Sequence, residues 1–255
     1  MDFSGQVALS TGAASGMGLL FAQCFAANGG KAVLCDINGE AVKALAEEIN
    51  ARYGEVRAIG LACDVRDYEQ VCKTRDDAVK QFGRIDVLCN FAGGASTRVL
   101  KVDKQKYPEF PDVPIDVYEW GLDVNLKGPF YFAHAVLKTM REQKSGLVIN
   151  IGSITGAEGC GYNPDYATAK AGLMHGLTKS IAQFGAPHGI RCVCVSPGPV
   201  LTRAAMANMK TLLGRAAEPQ EIIDLCLFIA SEQGQFINGE NIMIDGGRNA
   251  AKRGI

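Results

Sequence analysis

A chain of 255 residues with a formal net charge of −1 and 21% charged residues offers no electrostatic footprint for nucleic acid or for an anionic membrane. Its 47% hydrophobic content supports one large α/β core and excludes a disordered chain. The nine cysteines form no CxxC pair. His134 and His175 fall in helical patterns, His188 falls in a turn, and no HExxH pattern occurs, so neither a disulfide scaffold nor a metal centre is expected. The start, MDFSGQVALSTGAA, lacks a basic segment followed by a long apolar one. No run of about 18 apolar residues occurs. A cytoplasmic protein with reduced thiols is therefore expected.

In chain order, residues 7–11 predict a strand and 17–29 a helix closed by Gly29 and Gly30. Residues 31–36 predict a strand, 39–54 a helix, 56–65 a strand and 67–82 a helix ending at Gly83. Strands are expected at 84–93, 146–153, 190–198 and 241–247, with helices at 116–142, 165–186 and 218–232. The strands are continuous apolar runs, the pattern of parallel strands covered on both faces. The expected architecture is a single α/β domain over 1–255, a doubly wound sheet of about seven parallel strands with helices on both faces. One segment breaks the rhythm. Residues 94–115, GASTRVLKVDKQKYPEFPDVPI, are polar and carry three prolines, and they read as a long surface loop.

The first strand runs into TGAASGMG, residues 11–18. Gly12, Gly16 and Gly18 fall in a strand-to-helix turn, where glycine lets the backbone approach a pyrophosphate at the positive end of a helix. Asp36 ends the second strand, 18 residues past the last of these glycines. A carboxylate there can accept both ribose hydroxyls and repels a 2′-phosphate. Neither Ala13, Ala14 and Ser15 nor Ile37 is basic, which favours NAD over NADP as the cofactor.

YATAK, residues 166–170, places Tyr166 and Lys170 one helical turn apart on one face. A free tyrosine titrates near about 10 and is a poor base at neutral pH. A nearby ammonium favours the phenolate, so the pair suits proton exchange with an alcohol or a carbonyl.

TGAASGMG (11–18), CDV (63–65), NFAG (90–93), VN (124–125), GS (152–153), YATAK (166–170), PGPVLT (197–202) and IDGG (244–247) follow one another on the expected strand ends. In this order they resemble the short-chain dehydrogenase/reductase family over essentially the whole chain. The resemblance implies a Rossmann-type fold, a homo-oligomer (a tetramer) and catalysis by Asn125, Ser153, Tyr166 and Lys170. In that scheme Ser153 fixes the substrate oxygen, Lys170 also grips the nicotinamide ribose, and Asn125 holds a water that relays protons. It further implies cofactor contacts from Gly12, Ser15, Gly16, Met17, Gly18, Asp36 and Ile37, from Asp64 and Val65 at the adenine, and from Asn90, Ala92 and Gly93. Tyr166, Lys170, Pro197 and Gly198 belong to the same set, and Val200 and Thr202 hold the carboxamide. Phe91 stands where the family usually has a second Asn, a departure expected to alter local packing. Trp120 and Tyr131 are expected in the core or at a subunit contact.

The substrate pocket is expected to draw on Ser96, Ser153, Thr155, Cys160, Tyr166 and Met206, with Met209 nearby and Ser96 and Arg98 nearest the reacting carbon. Segment 94–115 would form one wall and a short lid over about 203–214 the other. The expected substrate is a secondary alcohol or ketone. A sugar or polyol is favoured by the polar loop; a hydroxysteroid and a 3-oxoacyl thioester stay open. An idle NAD(H) sensor is disfavoured because Asn125, Ser153, Tyr166 and Lys170 are all present. A nucleotide-sugar epimerase is disfavoured because the chain leaves no space for a second domain.

Overall fold

The computed structural model describes residues 1–96, 108–202, 206 and 208–251. Seven parallel strands form one sheet in the order β3-β2-β1-β4-β5-β6-β7. They are β1 (Val7–Thr11), β2 (Lys31–Asp36), β3 (Ala58–Ala62), β4 (Val87–Asn90), β5 (Gly146–Ile151), β6 (Ile190–Pro197) and β7 (Asn241–Ile244). Successive strand residues face opposite sides. Val7 and Leu9 join one core cluster, and Ala8 between them joins another. Every position therefore meets an apolar layer, which is why the strands read as unbroken apolar runs.

One layer holds α3 (Tyr68–Phe82), α5 (Gly128–Gln143) and α8 (Thr178–Gly185), which bring Val71, Phe132, Val136, Met140 and Ile181 to the sheet. The other holds α1 (Gly16–Ala27) and α9 (Pro219–Ala230), with Phe21, Phe25, Ile222, Ile223 and Leu227. Beside them α2 (Gly39–Tyr53) packs Val42, Ala46 and Ile49 against Ala22 and Ala26. Strand order reverses at β1, between β2 and β4. This opens a crevice at the carboxyl ends of these strands, where ligands of doubly wound sheets bind.

Two expected helices are each interrupted. The 116–142 helix is α4 (Ile115–Leu122), a π-turn (Asp123–Lys127) and then α5. The 165–186 helix is α7 (Pro164–Ala171), a π-turn (Gly172–Leu177) and then α8. Pro129 supplies no N–H, so the Asn125 carbonyl lacks its α-helical donor and the helix loosens there. In the second case Thr178 Oγ1 donates to the Leu173 carbonyl at 2.7 Å.

A short helix, α6 (Ile154–Glu158), was not expected. Ser153 caps it by accepting the Thr155 N–H at 3.1 Å. Strands expected over 56–65, 84–93 and 146–153 are shorter: all three lose their last residues, which leave the sheet, and the first two also start later, at Ala58 and Val87. Arg98 and residues 97–107 of the polar segment, and 203–205 and 207 of the lid, lie outside the described residues. Among the described residues no helix is long and apolar enough to cross a membrane.

Candidate active site

The crevice holds a groove of about 630 Å³ walled by Gly12, Ser15, Gly16, Met17, Gly18, Asp36, Ile37, Asp64, Val65, Ala92, Gly93 and Thr202. Its floor is packed too closely for side chains. A Cβ on Gly12 would come within 2.9 Å of the Ala92 backbone, and one on Gly18 within 2.5 Å of the Gly12 carbonyl. Gly16 has φ +59 and faces open space, a cradle for a ligand at the start of α1.

Asp36 is fixed at the rim of the groove. Its Oδ2 accepts the Ala14 N–H at 3.1 Å and its Oδ1 the Asn38 N–H at 2.9 Å. Asp64 is forked by Arg66, with Nη2 to Oδ2 at 2.6 Å, and this guanidinium holds its carboxyl below the usual range. A dinucleotide fits this groove: small residues line the floor and a carboxylate stands at the end of β2.

A second cavity of about 350 Å³ adjoins the first and shares Met17, Phe91, Gly93 and Thr202 with it. Its walls bring together Ser153, Thr155, Cys160, Tyr166, Lys170, Pro197, Gly198, Val200, Thr202, Met206 and Met209. Lys170 is 4% exposed, and its Nζ donates to the Ile151 carbonyl at 2.7 Å and lies 5.5 Å from the centre of the Tyr166 ring. Burial pulls its ammonium down to about 8. Gly93 permits this approach, since a Cβ there would lie 2.7 Å from Asn125 Oδ1 and 3.4 Å from Lys170 Nζ. The Ser153 oxygen accepts the Thr155 N–H with one of its two lone pairs, and its own hydrogen can turn to donate into the cavity.

Three expected site residues stand behind these walls. Asn90 is 2% exposed and donates to Asn150 Oδ1 at 2.9 Å, a bond inside the sheet. Asn125 is fully buried. Its Oδ1 accepts the Gly94 N–H, and its Nδ2 donates to the carbonyls of Gly94 and Gly121, each at 2.9 Å. Both Nδ2 hydrogens are thus spent on clamping Gly94 to Gly121, and the side chain has none left to donate to a relay. Ser96 is 2% exposed and acts on the buried Asp165, away from the cavity.

Sequence reasoning missed five groove residues: Cys63, Arg66, Phe91, Trp120 and Val124. Trp120, expected in the core or at a contact, is half-buried on the groove wall. Its signal was the spacing, since Trp120 and Val124 share a helix face just before Asn125. Arg66 directly follows Val65 at the edge of the sheet. Phe91 does pack, with its ring centre 5.6 Å from that of Phe21, and it also walls both cavities.

A family model described as Enoyl-(Acyl carrier protein) reductase matches residues 12–249. A trans-4-hydroxycyclohexanecarboxylate dehydrogenase of Sinomonas cyclohexanicum is 38% identical, over 96% of this chain and 93% of that protein. The chain belongs to the short-chain dehydrogenase/reductase family.

A D-threitol dehydrogenase of Mycolicibacterium smegmatis is 34% identical, over 95% of this chain and 92% of that protein. A 3-oxoacyl-[acyl-carrier-protein] reductase FabG of Thermotoga maritima is 33% identical, over 97% and 99%. As a short-chain dehydrogenase/reductase with such relatives, the protein is an oxidoreductase acting on CH–OH groups.

Proposed function

We propose that this enzyme moves a hydride between NAD(H) and a small, neutral secondary alcohol or its ketone, with Tyr166 as general acid/base. The observation that carries the reading is the convergence of Ser153, Tyr166 and Lys170 on one cavity that opens onto the dinucleotide-sized groove. Bound nicotinamide would supply or take the hydride. Ser153 would donate to the substrate oxygen and set its pose. Tyr166 would take the hydroxyl proton during oxidation and return it during reduction, and the buried Lys170 ammonium favours the phenolate this requires. Asp36, with both oxygens held by backbone N–H groups and Ile37 beside it 71% exposed, supports NAD over NADP.

Lys170 is the one charged side chain among the described residues of the substrate cavity. This supports an uncharged reacting end, and Ser153 and Thr155 suit a hydroxylated one. The relatives named for threitol and for a ring alcohol that bears a carboxylate away from its hydroxyl support a short polyol or a ring alcohol, uncharged at the reacting carbon. Phe130 on α5 and Phe184 on α8 are 47% and 43% exposed, which supports burial between copies in a homo-oligomer, for which the family resemblance suggests a tetramer.

The test is a panel of cyclic alcohols, short polyols, a hydroxysteroid and a 3-oxoacyl thioester with each cofactor, run on wild type and Tyr166→Phe. Turnover of ring alcohols or polyols with NAD, lost in the variant while NADH still binds, is expected. More than about a tenth of wild-type activity in Tyr166→Phe would overturn the acid/base assignment. Turnover of the steroid or thioester alone would overturn the substrate class.

A further inference from the structure

Asp165 is a carboxylate that the chemistry above does not use. It precedes Tyr166 in the first turn of α7 and is fully buried. It lies so close to α4 that a Cβ on Gly121 would overlap its Oδ2, so residue 121 must be glycine for the carboxylate to sit there. Neither oxygen makes a hydrogen bond of full geometry among the described residues. The groups that act on it are the Ser96 hydroxyl and the backbone N–H groups of Tyr166 and of Asp165 itself. Burial raises its carboxyl, and among the described residues no cation offsets that effect. A buried acid without a cation is unfavourable, so its place beside the acid/base calls for a role.

The residues it meets suggest that role. Gly94 and Ala95 line the substrate cavity as the chain leaves β4. Asn125 grips Gly94 from the π-turn on one side, and Asp165 meets Ser96 from α7 on the other. We propose that Asp165 is a positioning residue, fastening the cavity wall at Ser96 to the helix that carries Tyr166 and Lys170. The inference rests on the assignment of Tyr166 as acid/base. The wall and the phenol then keep one fixed spacing, and freeing either end blurs the pose of the substrate oxygen.

The test is a double-mutant cycle on Asp165→Ala and Ser96→Ala, with Asp165→Asn and Gly121→Ala beside it. The alcohol from the panel that turns over fastest serves as the probe. NADH binding, melting temperature, kcat and KM are read for each. Each alanine variant should lower kcat/KM about tenfold with NADH affinity unchanged, and the double variant should fall no further. Asp165→Asn, which keeps an acceptor for Ser96, should recover to within about threefold of wild type, and Gly121→Ala should reproduce the loss. Additive losses, an Asn variant as poor as the Ala variant, or wild-type kcat/KM in Asp165→Ala would each overturn the proposal. Should Asp165→Ala not fold, Ser96→Ala and Asp165→Asn decide, since an unchanged Ser96→Ala overturns it equally. Tyr166→Phe separates the two readings: full turnover there removes the acid/base assignment, while additivity in the cycle removes only the fastening.

Discussion

The Asn90 amide donates to Asn150 Oδ1 at 2.9 Å across β4 and β5, where the two residues are register partners. Asn150 passes the connection on, donating to Thr178 Oγ1 at 3.0 Å, and that hydroxyl donates to the Leu173 carbonyl inside the second π-turn. A buried polar chain thus runs from the centre of the sheet into the helix that follows the catalytic turn. Replacing Asn150 with Ala strands donors and acceptors on both sides and should cost about 2–3 kcal/mol in denaturant unfolding. A change below about 0.5 kcal/mol would show that the chain adds no stability.

Lys170 sets a pH signature. Burial lowers its folded value from 10.5 to about 8, so between these limits the unfolded chain holds more protons than the folded one. The cost of burying the charge is full below about 8 and fades as pH rises towards 10.5. Its size is on the order of 3 kcal/mol. Lys170→Met without cofactor should therefore be stabilised relative to wild type most at neutral pH, with the difference shrinking as pH rises from 8 to 10. A difference that is flat or grows with pH would sink the argument. Comparing the two proteins removes the buried thiols such as Cys226, which burial pushes up to about 12 and whose contribution runs the other way.

Asp36 should decide between the two nicotinamide cofactors. The ratio of kcat/KM for NAD to that for NADP is expected to exceed about tenfold. Asp36→Ala combined with Ile37→Arg should move it towards NADP by removing a repulsion and adding a phosphate partner. A ratio near one in the wild type would refute the role given to this carboxylate. Such a result would turn attention to Arg66, the cation that the fold adds to the same groove.

Trp120 is the one tryptophan of the chain and stands on the groove wall. Titration with NADH should quench its emission and sensitise that of the reduced nicotinamide. Trp120→Phe should abolish the signal and weaken NADH binding about threefold. Unchanged tryptophan emission on saturation with NADH would place the cofactor elsewhere.

The alternation of elements was legible in the sequence because doubly covered strands are apolar at every position. The glycines at 12, 16 and 18 and the acid at 36 were legible because few other residues can occupy those backbone positions. Tyr166, Lys170 and Ser153 were legible from spacing and resemblance, and the fold puts them on one cavity. What could not be read was side-chain direction. Asn90, Ser96 and Asn125 occupy the expected stretches of chain but point inward, to partners such as Asn150 and Gly94 that lie far away in sequence. Trp120 and Arg66 reach the groove only because α4 and the end of β3 fold over it. The π-turns were invisible because apolar spacing does not separate an i→i+5 bond from an i→i+4 bond over so short a run.

A π-turn inserts one residue into a helix, so the segments on either side differ in phase by about 100°. In the first such helix the upstream part aims Trp120, and the turn itself Val124, at the groove, while the downstream part aims Phe132, Val136 and Met140 at the core. Losing one residue from 123–127 would rewind the helix and swing one set off its target. This stretch therefore tolerates no change of length, and at Asn125, which clamps Gly94, it is constrained in residue as well. Changes of length are left to the chain ahead of it, between β4 and α4, so the geometry of this helix confines where new substrate walls can be built.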